Sequence, residues 1–181
     1  DRLGVADELA ELISAHGGVT RVIDISADDE LANAVDWLKE GGYELQALVH
    51  LSGVEGVDRV ADIEAWRDGC DAHIKHLFAW LKRMRPFIKD TGGESGGAPG
   101  TALVSASMLG GHFGRGMDQR PLSVTAAGAL GLLNSLRYEW PGVRVSAIDF
   151  DSATDAQTIA SAIALELRQD EPFDALWLRP R

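Results

Sequence analysis

A strand–helix–strand order between residues 101 and 151 restricts what this chain can become more than any other stretch. Residues 101–106 (Thr-Ala-Leu-Val-Ser-Ala) form a short apolar run of strand type. A glycine-rich loop follows at 107–121, then a helical stretch at 122–138, then a second apolar run at 143–150. Two strands joined through a helix pair in parallel, and a parallel sheet is covered by helices on both faces. The helix holds Ala126, Ala127, Gly128, Ala129 and Gly131 in one run. Glycine costs about 1 kcal/mol inside a helix, so close contact with the sheet or with a partner is expected there.

The flanking sequence repeats the alternation. Val5, Leu9, Leu12 and Ile13 recur at helical spacing across 3–15, and Gly17-Gly18 ends that pattern. A buried strand is expected over 19–25. A helix over 28–39 is expected to open on a capping box of Ser26 and Asp29. A strand is expected within 43–51 and a loop over 52–60. A long helix over 62–85 should bury Ile63, Trp66, Cys70, Ile74, Leu77, Leu81 and Met84 as one stripe, with Pro86 at its end. Residues 90–100 read as a glycine-rich surface loop. After 150, Ser152 or Thr154 should cap a helix carrying Ile159, Ile163, Leu165 and Leu167, and residues 173–178 read as a closing strand. The fold class expected is α/β: an open, three-layer, doubly wound parallel sheet of about five strands.

Composition narrows the function classes. A net charge of −11 over 181 residues argues against nucleic acid and anionic membrane as partners. Cys70 is the single cysteine and no Cys/His metal spacing is present, so no metal site is expected and a reduced cytoplasmic setting is. No apolar run has the length of a bilayer span, and no signal-peptide pattern opens the sequence. The first residue, Asp1, falls next to a helical pattern, from which a single domain excised from a longer polypeptide is expected.

Chemistry is harder to place. Gly4-Val-Ala-Asp-Glu-Leu-Ala10 looks like the tail of a dinucleotide-binding turn, but the strand and glycines that should precede it are missing. Asp24 stands where a ribose-binding acid would, although a loop or capping carboxylate is the simpler reading. His73 and His76 share a helix and read as surface or partner contacts. His112 could line a cleft. Asp149 and Asp151 flank Phe150 at the carboxyl end of a strand, where helix capping accounts for them. Trp37, Trp66, Trp80 and Trp140 read as core or interface anchors.

Val49-His-Leu-Ser-Gly53 and Val104-Ser-Ala-Ser107-Met-Leu-Gly-Gly111 resemble short-chain dehydrogenase/reductases. In that family a serine at a strand end binds the substrate carbonyl, a tyrosine about 13 residues on donates the proton, and a lysine four beyond tunes it; in polyketide ketoreductases the lysine lies upstream. Ser107 or Ser105 matches the serine. The tyrosine position reads Gln119-Arg-Pro-Leu-Ser123, and the downstream lysine position falls at Ala126 or Ala127. Lys82 is the upstream candidate, on a helix already rich in Lys and Arg.

Gly110-Gly-His-Phe-Gly114, Ala127-Gly-Ala-Leu-Gly-Leu-Leu-Asn-Ser-Leu-Arg-Tyr-Glu-Trp-Pro141, Val143-Arg-Val-Ser-Ala-Ile-Asp149 and Phe173-Asp-Ala-Leu-Trp-Leu-Arg179 are similar to the ketoreductase region of type I polyketide, enediyne and polyunsaturated fatty acid synthases. The resemblance covers roughly residues 43–180 and implies the first, structural half of such a ketoreductase, a truncated Rossmann-like unit. It implies no catalytic, cofactor-binding or metal-binding residue in this chain, with NADPH held by the partner half. It further implies a non-catalytic pseudo-ketoreductase that braces a catalytic ketoreductase half, a dehydratase or a methyltransferase, serves an acyl carrier protein, and sits in a homodimeric parent. Two rivals remain open: an NAD(P)H-dependent β-ketoacyl reductase using Ser107 and Lys82, and a module that binds an acyl ligand through loop 107–121.

Overall fold

The computed structural model describes residues 3–24, 27–54, 62–90, 100–115 and 125–168, together with the backbone of Leu176 and Trp177. Strand β2 (Ala102–Ser107) is buried along its whole length, as its unbroken apolar run requires. It lies between β1 (Ala47–Gly53) and β3 (Arg144–Asp149), and β3 pairs in turn with β4 (Leu176–Trp177). All pairings are parallel, and among the described residues the sheet has four strands in the order β1-β2-β3-β4.

Period-two alternation divides the sheet into two faces. Leu103 and Val145 point into one core with helices α2 (Asp28–Gly41), α4 (His76–Met84) and α5 (Ala126–Glu139). Val104, Ala106 and Ile148 point into a second core with α1 (Val5–Ala15) and α6 (Ala156–Leu167). Helices on both faces make the arrangement three-layered and doubly wound, as the sequence pattern implies.

The helix after β1 is one rod with a fault in it. Helix α3 (Ile63–Cys70) is capped by Asp62, whose carboxylate accepts hydrogen bonds from the backbone N–H groups of Glu64 and Ala65. A π-helical turn, Asp71–Lys75, then runs directly into α4. The extra residue in that turn rotates the buried stripe. Leu77, Trp80, Leu81 and Met84 are buried beyond it, whereas Ile63 and Trp66 before it are 59% and 44% exposed. The continuous stripe expected from Ile63 to Met84 is therefore broken at the π turn, and Trp66 is not a core anchor.

Three further expectations change. Residues 19–24 take no regular structure, and Val19 and Val22 are exposed; no described strand pairs with the outer side of β1, so a ladder partner is lacking there. Ala27, not Ser26, is the N-cap of α2, and Glu30 reaches back to accept the Asp24 backbone N–H at 2.6 Å; Ser26 and Ile25 lie outside the described residues. Asp155, not Ser152 or Thr154, caps α6 by accepting the Thr158 backbone N–H at 2.8 Å. Residues 91–99 of the expected loop 90–100, residues 116–121 of the expected loop 107–121, residues 55–60 of the expected loop 52–60, and most of the expected strand 173–178 lie outside the described residues.

The glycines of α5 separate into two cases. A Cβ on Gly128 would lie 2.2 Å from the Ile74 side chain, so close contact with the preceding helix explains it. A Cβ on Gly131 would meet nothing within 4 Å.

Candidate functional site

The face shared by α4 and α5 changes character along the strands. At their amino ends it is apolar, with Leu103 and Val145 in the core. At their carboxyl ends, where open α/β sheets bind ligands, the same face carries His50 and Ser52 on β1, Ser105 and Ser107 on β2, and Asp149 on β3. Two separate hydrogen-bonded clusters fill this polar layer.

The first is built on Asp149, which is fully buried. One carboxylate oxygen accepts the Ser107 hydroxyl at 2.7 Å and the Leu109 backbone N–H at 2.6 Å; the other accepts the Phe113 backbone N–H at 2.7 Å. The Gly110 and Gly111 N–H groups both donate to the Phe150 carbonyl. Gly110, Gly111 and Gly114 have positive φ, and so does Phe113 at 52°. A non-glycine residue in that region is held there by its surroundings, here by the Asp149 bond. Asp149 thus ties the glycine loop back onto the sheet and does not cap the following helix. Asp151 does cap a turn, accepting the Ala153 N–H at 2.9 Å.

The second cluster joins β1, β2 and the π turn. His50 stands opposite Ser105 in the β1–β2 register. Its Nδ1 lies 3.1 Å from Ser105 Oγ and its Nε2 2.6 Å from Ser52 Oγ. His73, in the π turn, brings its Nδ1 to 3.1 Å from the same Ser52 Oγ. His50, His73 and Ser105 are buried, and Ser52 is half-buried. Burial first, and the neighbouring His73 imidazole second, bring the His50 pKa down from 6.5 to about 4. His50 is therefore neutral at physiological pH. π turns recur at functional sites, and this one places a buried imidazole at the ligand end of the sheet.

The residues singled out in the sequence are scattered by comparison. Ser107 is 2% exposed and its hydroxyl is engaged by Asp149. Ser105 is engaged by His50. Lys82 is exposed on α4 and lines a surface groove with Phe78, Arg85, Leu132, Leu136, Glu139 and Trp140. Helix α5 runs from the carboxyl to the amino ends of the strands, so a groove formed with its last turn lies at the far end of β2, six residues or about 20 Å from Ser107. Lys82 does not join the polar layer. His73 is buried, not a surface contact, while His112 sits in the turn after β2. Gly4 begins α1 in a left-handed conformation, followed by Asp7 and Glu8 in the first turn, a charge pattern that repels phosphate. Asp24 is exposed at the end of an irregular segment. Among the described residues no group of three or more His, Cys, Asp or Glu could hold a metal, and no helix is long and apolar enough to cross a membrane.

This topology has close counterparts among solved structures. A metagenomic short-chain oxidoreductase in complex with NADP matches with a TM-score of 0.67 at 20% identity, over 99% of this chain and 92% of its own. The fold is that of the short-chain dehydrogenase/reductases. The enoyl-[acyl-carrier-protein] reductase (NADH) of Aquifex aeolicus VF5 shares this short-chain dehydrogenase/reductase fold, with a TM-score of 0.58 at 16% identity over 87% of this chain and 70% of its own. So does a 3-ketoacyl-ACP reductase of Sinorhizobium meliloti 1021, at 0.55 and 19% over 84% and 62%. No family model and no curated protein matches the sequence.

Sequence reasoning missed the imidazole cluster. Its signal was the alternation Leu48, His50, Ser52, which puts both polar groups on the face that receives Ser105.

Proposed function

We propose that the chain is a structural subdomain of short-chain dehydrogenase/reductase fold, a pseudo-ketoreductase half from a type I polyketide or fatty acid synthase, with no reductase chemistry of its own. One observation carries this reading: the Ser107 hydroxyl, which the family resemblance would turn toward a substrate carbonyl, donates instead to a buried carboxylate that also pins the loop beyond it. Its work is to brace a neighbouring catalytic half, dehydratase or methyltransferase within a homodimeric cytoplasmic parent, with NADPH bound by that neighbour and substrates delivered on an acyl carrier protein. Titration of NADPH into this chain, followed by nicotinamide fluorescence, tests it. No saturable signal is expected at micromolar NADPH; micromolar binding would reverse the reading.

A second reading, an NAD(P)H-dependent β-ketoacyl reductase with an atypical site, draws support from the NADP held by the metagenomic oxidoreductase of the same fold. The same titration separates the two.

A further inference from the structure

Ser52 has surroundings that bracing a neighbour does not require. A hydroxyl has one proton, so it can donate to only one of the two imidazoles that meet it. Hydroxyl donors make shorter bonds than N–H donors. The 2.6 Å contact to His50 Nε2 is accordingly assigned to Ser52 O–H donating, and the 3.1 Å contacts to His73 Nδ1–H and His50 Nδ1–H donating to Ser52 Oγ and Ser105 Oγ. These three bonds are mutually consistent. They leave His50 Nε2 as an acceptor aimed at the Ser52 proton, with the opposite side of the ring held by Ser105.

We propose that Ser52 is an acyl-accepting nucleophile, with His50 as its base and Ser105 as the residue that positions His50, and that it takes one acyl group from an activated ester or thioester. The inference goes beyond the scaffold reading and is independent of it. Nucleophile, base and orienting group stand in hydrogen-bond reach in that order. Ser52 is the half-buried member, next to last in β1, at the ligand end of the sheet. His50 and Ser52 are two residues apart on one strand, so the strand itself fixes their spacing.

The step balances without a cofactor. Ser52 Oγ attacks the acyl carbon and its proton passes to His50 Nε2. The new Oγ–C bond forms, the C–S or C–O bond to the leaving group breaks, and the proton leaves His50 with the thiolate or phenolate. His50 returns to the neutral form that it holds at physiological pH. An imidazole of such low basicity is a weak general base, so the outcome is slow, stoichiometric acylation and not rapid turnover.

The test uses the folded chain with p-nitrophenyl acetate and with the acetyl thioester of N-acetylcysteamine. One equivalent of p-nitrophenolate is expected, and peptide mapping should place a single acetyl group on Ser52, absent when the chain is labelled in urea. Ser52→Ala should remove the burst. His50→Asn keeps a donor toward Ser105 and lacks Nε2; it should slow acylation by at least roughly tenfold. Ser105→Ala should slow the burst without changing its one-to-one stoichiometry, and Ser105→Thr should restore the rate. Absence of acetyl on Ser52 in the unmodified chain overturns the proposal whatever the variants do. So does an unchanged burst in Ser52→Ala, or a folded His50→Asn chain that reacts at the original rate. An NADPH result of either sign leaves these outcomes unaffected.

Discussion

Acidifying the protein should expose the cost of keeping His50 neutral. In the unfolded chain its imidazole takes a proton near pH 6.5; in the folded chain burial and His73 postpone that to about pH 4. Between those values the unfolded state binds more protons, so stability falls as pH falls and is recovered as pH rises through 6.5. The two pKa values give a loss of about 2 kcal/mol from pH 7 to pH 5, and of about 3 kcal/mol by pH 4. Burial at 8% exposure leaves little solvent screening to reduce this. The assay is urea unfolding at several pH values for the unmodified chain and for His50→Asn. Other titrating groups contribute to both, so the difference between the two curves isolates His50. That difference should shift by about 2 kcal/mol between pH 7 and pH 5, against the unmodified chain at the acid end. A difference independent of pH across that interval would falsify the argument.

Other substitutions probe the remaining contacts. Asp149→Asn puts an amide N–H₂ against donors that now meet a carboxylate, and should cost about 2–4 kcal/mol in urea unfolding. Ser107→Ala removes only one of those bonds and should cost about 1 kcal/mol; equal losses in the two variants would contradict the clamp. Gly53→Ala sets a Cβ 2.6 Å from the Ala106 carbonyl oxygen, a backbone atom that cannot move aside, and should lower the thermal midpoint markedly. Gly131→Ala meets nothing and should raise stability by about 1 kcal/mol through helix propensity; a loss in the isolated chain would refute that account.

Much of the architecture was legible because one signal sufficed for each element. Strand β2 is apolar throughout and buried throughout; α5 and β3 follow it at the spacing that parallel pairing demands. The errors arose where a second element decides. Val19 and Val22 have strand-forming side chains, but among the described residues no ladder receives them. Ile63 and Trp66 fit a helical period that the π turn interrupts, and the period of the residues gives no notice of the extra one. The candidate site shows the same limit. Ser107 was found from its own surroundings, but its partner Asp149 arrives from another strand 42 residues later. In the sequence His50 reads as strand and Ser52 as the loop after it, and their common face follows only from the continuation of β1 to Gly53. His73 could be placed only once the winding of its helix was known.

The five-residue π turn also makes the outlook of the rod upstream of it a matter of winding and not of composition. Were ordinary winding to resume with no residue removed, everything upstream would swing by roughly a hundred degrees and Trp66 would turn toward the protein. A one-codon deletion between Asp71 and Lys75 would instead take out the extra residue, leaving the upstream arm facing as it does while dissolving the turn that presents the His73 imidazole to Ser52.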